Sequence, residues 1–183
     1  MIVVARHGET EWSASGKHTS RTDVPLTERG RAAAAELLPR LAGRDFALVL
    51  ASPRARSHTT AVLAGFPDPE VDPDLVEIDY GDYEGLTTPE IRERRPGWSV
   101  WTHDAPGGES LEHAGARVDR VIARALAADG DTLLFAHGHI LRILAARWVE
   151  LPPARGASFA LDTGALGELG FERERRVVQR WNA

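Results

Sequence analysis

An arginine and a histidine stand together where a short apolar run stops. Ile2-Val3-Val4-Ala5 leads directly into Arg6-His7-Gly8-Glu9-Thr10. A neutral imidazole has a ring nitrogen that can attack phosphorus, and a guanidinium offers a planar fork of donors to an anion. Four β-formers and a glycine predict a strand and a sharp turn, and ligands bind at the C-terminal ends of strands in open α/β sheets. The pentapeptide alone also suits a strand ending in two surface polar residues. Two later segments repeat the arrangement. Residues 46–51 form a second apolar run, followed by Ser52-Pro53 and Arg56, and residues 132–136 form a third, followed by His137-Gly138-His139. Each handover from strand to helix or glycine turn adds N-terminal helix amides to an anion site. One shared phosphate site containing Arg6, His7, Arg56 and His137 accounts for all three.

The elements that must position these groups are readable from periodicity. Thr27 has the character of an N-cap, and Ala33, Ala34, Leu37, Leu38 and Leu41 fall at helical spacing on one face until Gly43. Ser52-Pro53 predicts a cap with Pro at the first helical position, opening a helix that carries Ala55, Val62 and Leu63 inward. Residues 66–109 are the least regular, with a short helix near 88–94. Ser110 caps a long amphipathic helix with Leu111, Ala114, Val118, Val121, Ile122 and Ala125 on its apolar face. A further helix after His137 buries Ile140, Leu141, Leu144 and Trp148, and the tail from Ser158 predicts two or three strands. Strands alternating with helices imply an α/β fold of three layers, a mostly parallel central sheet with helices on both faces.

Composition narrows the partners. The chain has 183 residues, 43% hydrophobic and 27% charged, which suits one folded domain. Its net charge of −5 gives no reason to expect nucleic acid or an anionic membrane, so a phosphate site must be a local basic pocket. Without cysteine there is no disulfide, thiolate metal site or Cys nucleophile. The first apolar run is too short for a signal peptide and no stretch has the length of a membrane span, so a cytoplasmic location is expected. Oligomeric state is left open, a homodimer included.

The chain resembles the histidine phosphatase superfamily, with its phosphoglycerate mutase-like fold. Arg6-His7-Gly8-Glu9-Thr10-Glu11-Trp12 is similar to the superfamily signature. Pro25-Leu26-Thr27-x-x-Gly30, Ser52-Pro53-x-x-Arg56-x-x-x-Thr60-Ala61, Tyr80-Gly81-Asp82-Tyr83-Glu84-Gly85, Gly107-Gly108-Glu109-Ser110 and Ala136-His137-Gly138-His139 resemble its later motifs in the same order, from residue 2 to about Trp148. The look is that of small acid phosphatases and of sedoheptulose-bisphosphatase-type enzymes.

The resemblance implies that His7 is the nucleophile of a phosphohistidine intermediate, with Arg6, Arg56 and His137 holding the phosphoryl oxygens. It places the proton donor at Glu77, in Glu77-Ile78-Asp79-Tyr80-Gly81, and makes Glu84 a structural carboxylate holding an arginine or a backbone turn. Asp79 and Asp82 are read as solvated loop acids. Gly8 and Gly138 would let backbone approach the phosphate without a Cβ in the way. Ser13 and the pair Thr19-Ser20 stand where relatives carry other substrate contacts, and His18 beside them is either a substrate contact or, the preferred reading, an exposed loop histidine. His137-x-His139 has the spacing of a metal pair but lacks further ligands, so neither metal nor cofactor is expected. Residues about 86–109 would form a small cap that chooses the substrate, with Trp98 and Trp101 lining it. The expected activity is hydrolysis of small phosphate esters such as sugar phosphates. A cofactor-dependent phosphoglycerate mutase and a catalytically silent binding domain are the alternatives.

Overall fold

The computed structural model describes residues 1–183. In chain order the elements are β1 (Ile2–Arg6), α1 (Glu11–Ala14), α2 (Glu28–Ala35), α3 (Leu37–Leu41), β2 (Phe46–Ala51), α4 (Ala55–Leu63), β3 (Glu70–Val71), α5 (Thr88–Arg94), α6 (Leu111–Ala127), β4 (Asp131–Ala136), α7 (Gly138–Trp148), β5 (Leu166–Glu172) and β6 (Arg175–Arg180). The sheet order is β3-β2-β4-β1-β5-β6. β3, β2, β4 and β1 pair in parallel, while β5 and β6 complete the sheet in antiparallel fashion.

The apolar runs are continuous because both faces of the sheet are covered. Ile2 and Val4 of β1 join the larger core with α6 and α7, whereas Val3 and Ala5 join a second core with Leu37, Leu41 and Ala61. All four are essentially inaccessible. β4 lies between β2 and β1, so the three strand ends that carry the chemistry are neighbours. Arg6 is in register with Ala136, and the Ser52 N–H donates to Phe135.

Two sequence expectations need correction here. The helix expected over residues 27–41 is two helices, because Pro39 has no N–H for the Ala35 carbonyl and its ring clashes there. Leu38 consequently faces solvent, 50% exposed. Ser52 is not a helix cap: α4 starts at Ala55, and its N-cap is Arg54. That helix turns Arg56, Ser57, Thr60 and Ala61 inward and leaves Val62 outside. Its inner face is polar because it faces the strand ends. The tail forms two strands, within the two or three expected.

Segment 86–109 is anchored rather than loose. Thr87 and Glu90 form a capping box at the start of α5, and Ile91 and Trp98 are buried in the larger core.

Candidate active site

His7 follows β1 directly and is buried. Its Nδ1 lies 2.7 Å from the Gly8 carbonyl. A carbonyl can only accept, so Nδ1 carries the proton and Nε2 keeps its lone pair. Burial, then the charges of Arg6 and Arg56, hold the His7 pKa well below the usual histidine value. The imidazole is therefore neutral, the form that attacks.

His137 sits with its ring centroid 5.2 Å from that of His7. Its Nε2 is 2.7 Å from Ser52 Oγ, while its buried Nδ1 has no partner in the protein. Burial, then Arg56, His7 and Arg6, depress its pKa too. His7 and His137 thus lie side by side at the ends of β1 and β4, with Arg6 beside them and the charge of Arg56 acting on both rings. Arg6 gives Nη1 to the Leu161 carbonyl, and Arg56 gives its Nη groups to the carbonyls of Thr19, Ser20 and Thr22. Both arginines keep a buried Nε with no partner. Unpartnered buried donors are rare in native proteins and mark a site for an acceptor. Three of them beside a neutral imidazole suit a phosphoryl group.

The adjoining cavity, about 240 Å³, is lined by Arg6, His7, Glu77, Tyr80, His139 and Arg142 among others. Arg56 and His137 are fully buried and form no part of its wall. Glu77 is buried and accepts N–H bonds from Ile78, His139 and Ile140, the last two in the first turn of α7. Glu84 lies elsewhere. Its carboxylate accepts from the Ser20 N–H and hydroxyl and from the Thr22 N–H. Burial works against its ionisation, but those bonds outweigh it and lower its pKa. Glu84 thus fixes the turn whose carbonyls hold Arg56. Of the two loop acids, Asp82 is exposed, and Asp79 pairs with Arg21 at 3.0 Å.

Several expected contacts have other jobs. The Gly8 N–H donates to Thr60 Oγ1, and a Cβ on Gly8 would collide with the Gly30 carbonyl, so this glycine serves backbone packing. Gly30 faces Glu9 in the same way, and Glu9 also accepts from Thr27 Oγ1 and pairs with Arg29. Gly138 lines the cavity, but a Cβ there would sit 3.2 Å from the Arg6 guanidinium. Ser13 and Thr19 line it as well. The Ser13 hydroxyl is spent in a capping box with Thr10, and that of Thr19 donates to the Lys17 carbonyl. Ser20 is tied to Glu84 and is absent from this cavity wall.

His18 is not an exposed loop histidine but part of the cavity wall, the other position expected for it. It is buried, stacks on His139 and packs edge-on against Tyr80 and Trp98, and its Nδ1–H donates to the Leu86 carbonyl. Nor do Trp98 and Trp101 line the cavity; they support His18 and His139 from behind. From segment 86–109 only Thr88 reaches the wall. His137 and His139 bond to different partners, Ser52 and Tyr80.

Sequence reasoning missed Lys17, Tyr80, His139 and Arg142 as wall residues. Arg142 follows Gly138 by four positions, which puts both on one face of α7; that spacing was the available signal.

A family model described as the histidine phosphatase superfamily (branch 1) matches residues 2–183. The chain belongs to the histidine phosphatase superfamily. The match extends beyond Trp148 to the β5–β6 hairpin. This histidine phosphatase is 48% identical over 176 residues to an acid phosphatase of Mycobacterium tuberculosis, covering 93% of this chain and 86% of the relative. It is 36% identical to sedoheptulose 1,7-bisphosphatase of Saccharomyces cerevisiae, over 81% of this chain and 67% of the relative. Among solved structures, a mycobacterial glucosyl-3-phosphoglycerate phosphatase in complex with VO3 superposes with a TM-score of 0.89 at 28% identity, covering 100% of this chain and 98% of the other.

Proposed function

We propose that this histidine phosphatase hydrolyses small phosphate monoesters through a phosphohistidine. The observation that carries this reading is the neutral, buried His7 surrounded by the unpartnered Arg6 Nε, Arg56 Nε and His137 Nδ1. His7 Nε2 attacks phosphorus while the ester P–O bond breaks, and Glu77 gives its proton to the departing alkoxide. Water then attacks the phosphohistidine, Glu77 takes one of its protons, and inorganic phosphate leaves. Arg6, Arg56 and His137 stabilise the charge on the equatorial oxygens, which is where phosphoryl transfer is catalysed. These fixed cationic and neutral donors supply the stabilisation that a divalent ion provides elsewhere, so catalysis is metal-independent.

The similarity to an acid phosphatase and a sugar bisphosphatase supports a small phosphorylated metabolite as substrate. The cavity volume is below the ~300–1,000 Å³ of drug-sized sites, which also favours a small ester. A relative from Mesorhizobium japonicum, 34% identical, is a 2,3-bisphosphoglycerate-dependent phosphoglycerate mutase. With a single cavity residue from segment 86–109, water has access to the phosphohistidine, and hydrolysis is favoured over return of the phosphoryl group. Purified protein incubated with sugar phosphates, phosphoglycerates and nucleotides, with and without chelator, tests the proposal. Phosphate release that survives chelation is expected. Release that requires a divalent ion would refute metal independence, and faster isomerisation of 3-phosphoglycerate than release would refute hydrolysis.

A further inference from the structure

The cavity holds more positive charge than one phosphoryl group can use. Arg6 lies in the wall, Arg56 is buried, and the charges of both bear on His7. Two further cations, Lys17 and Arg142, share the wall, and both are only half-buried where His7 is closed off. Glu77 is the only carboxylate in that wall.

Arg142 is held in one pose. Its Nε donates to the Gly156 carbonyl at 3.1 Å and its Nη2 to Ala157 at 3.0 Å, and the guanidinium lies over the Trp101 ring at 4.5 Å. Nη1 has no protein partner among the hydrogen bonds. Lys17 lies 5.7 Å from the Trp12 ring centroid, and its ammonium makes no hydrogen bond. Neither cation pairs with a carboxylate. Glu90, whose charge reaches Lys17's side of the molecule, is spent on the Thr87 N–H and hydroxyl. Two cations with no carboxylate partner, each lying over an aromatic ring in a partly enclosed wall whose one carboxylate is Glu77, attract a second anion.

We propose that Lys17 and Arg142 form a second anion subsite, and that the preferred substrates carry a second anionic group, phosphate or carboxylate, on the same small molecule as the scissile phosphate. This rests on the phosphatase reading above. Binding energy gained at that remote group is available to raise kcat/KM at the reacting one.

The test compares a sugar bisphosphate with the monophosphate of the same sugar, and a phosphorylated hydroxy acid with its uncharged alcohol analogue. Wild type should prefer the member with the second anionic group by about tenfold or more in kcat/KM, the worth of a charge-assisted hydrogen bond. The preference should shrink as salt is added. In Arg142→Gln and Lys17→Gln the ratio should fall toward one. Lys17→Gln breaks no hydrogen bond in the protein, so it answers for the case in which Arg142→Gln disturbs the 156–157 turn. Preference for the bisphosphate, the phospho-acid or both supports the subsite and identifies its anion. A ratio near one in wild type, with phosphate still released, overturns the subsite alone, as does an equal loss for both members in the Lys17 variant. Failure to release phosphate from any ester overturns the underlying phosphatase reading instead.

Discussion

Ser52 Oγ and His137 Nε2 are 2.7 Å apart, and that contact sets which nitrogen of His137 is offered to the phosphoryl group. Ser52 Oγ also accepts from the Arg54 N–H, so its own proton is free to be given to Nε2. The proton of the neutral ring then resides on Nδ1, the unpartnered buried atom. Ser52→Ala should lower kcat roughly tenfold, matching the loss of one ~1.5 kcal/mol hydrogen bond. Steady-state kinetics with unchanged kcat would show that the tautomer is set by something else.

His7→Ala should cost roughly 10⁴-fold or more in kcat, as removal of a nucleophile does, while the arginines still bind phosphate. Rapid quenching of wild type with labelled substrate should trap an acid-labile, alkali-stable adduct. Retained activity in the variant would end the phosphohistidine mechanism.

The two glutamates should separate by leaving group. Glu77→Gln cannot donate a proton, so it should slow alkoxide esters by about 10²–10⁴-fold and nitrophenyl phosphate far less. Glu84→Gln loses acceptors for the 20–22 turn that holds Arg56. It should raise KM and lower the melting temperature without leaving-group dependence. The opposite pattern in the two variants would reassign the acid.

Acid pH should leave the nucleophile ready and the fold weaker. His7, His137 and His139 all have pKa values pushed well below 6.5, in each case first by burial. Neutral His7 persists below pH 6.5, so the acid limb of kcat/KM should fall well under that value. In the unfolded chain the same histidines take up protons from about pH 6.5 downward, and the folded protein does not. Stability contributed by keeping them neutral is complete above 6.5 and lost below it, at up to ~1.4 kcal/mol per pH unit for each group. Denaturant midpoints measured from pH 7.5 to 5.5 should fall; a flat profile would show that the rings titrate normally.

Gly30→Ala should destabilise by about 1–3 kcal/mol, the usual cost of overpacking, because its Cβ meets the Glu9 backbone. The same strain displaces the turn after His7, so kcat should fall together with melting temperature. An unaffected enzyme would mean that the two segments can move apart freely.

The sequence revealed most where pattern and packing agree. The runs at 2–5, 46–51 and 132–136 are strands because β-formers alternate between two cores, and α6 buries the residues its period indicates. Reading failed where a polar face points inward. Arg56, Ser57 and Thr60 lie inside α4 against the site, so a rule that sends apolar residues inward chose Ala55, Val62 and Leu63. The burial of His18 was illegible for a related reason: its neighbours in space, Tyr80, Trp98 and His139, are far along the chain. Gly8 and Gly30 mark a backbone contact that no single-segment pattern can express.

The insertion of β4 between β1 and β2 has a consequence during synthesis. His137 and the strand that seats it beside Arg6 and His7 leave the ribosome about 130 residues after them. At ~5–20 residues per second the nucleophile waits seconds without its partners. Phosphatase activity can appear only once β4 has found its slot, so regain of activity during refolding times the closure of the sheet.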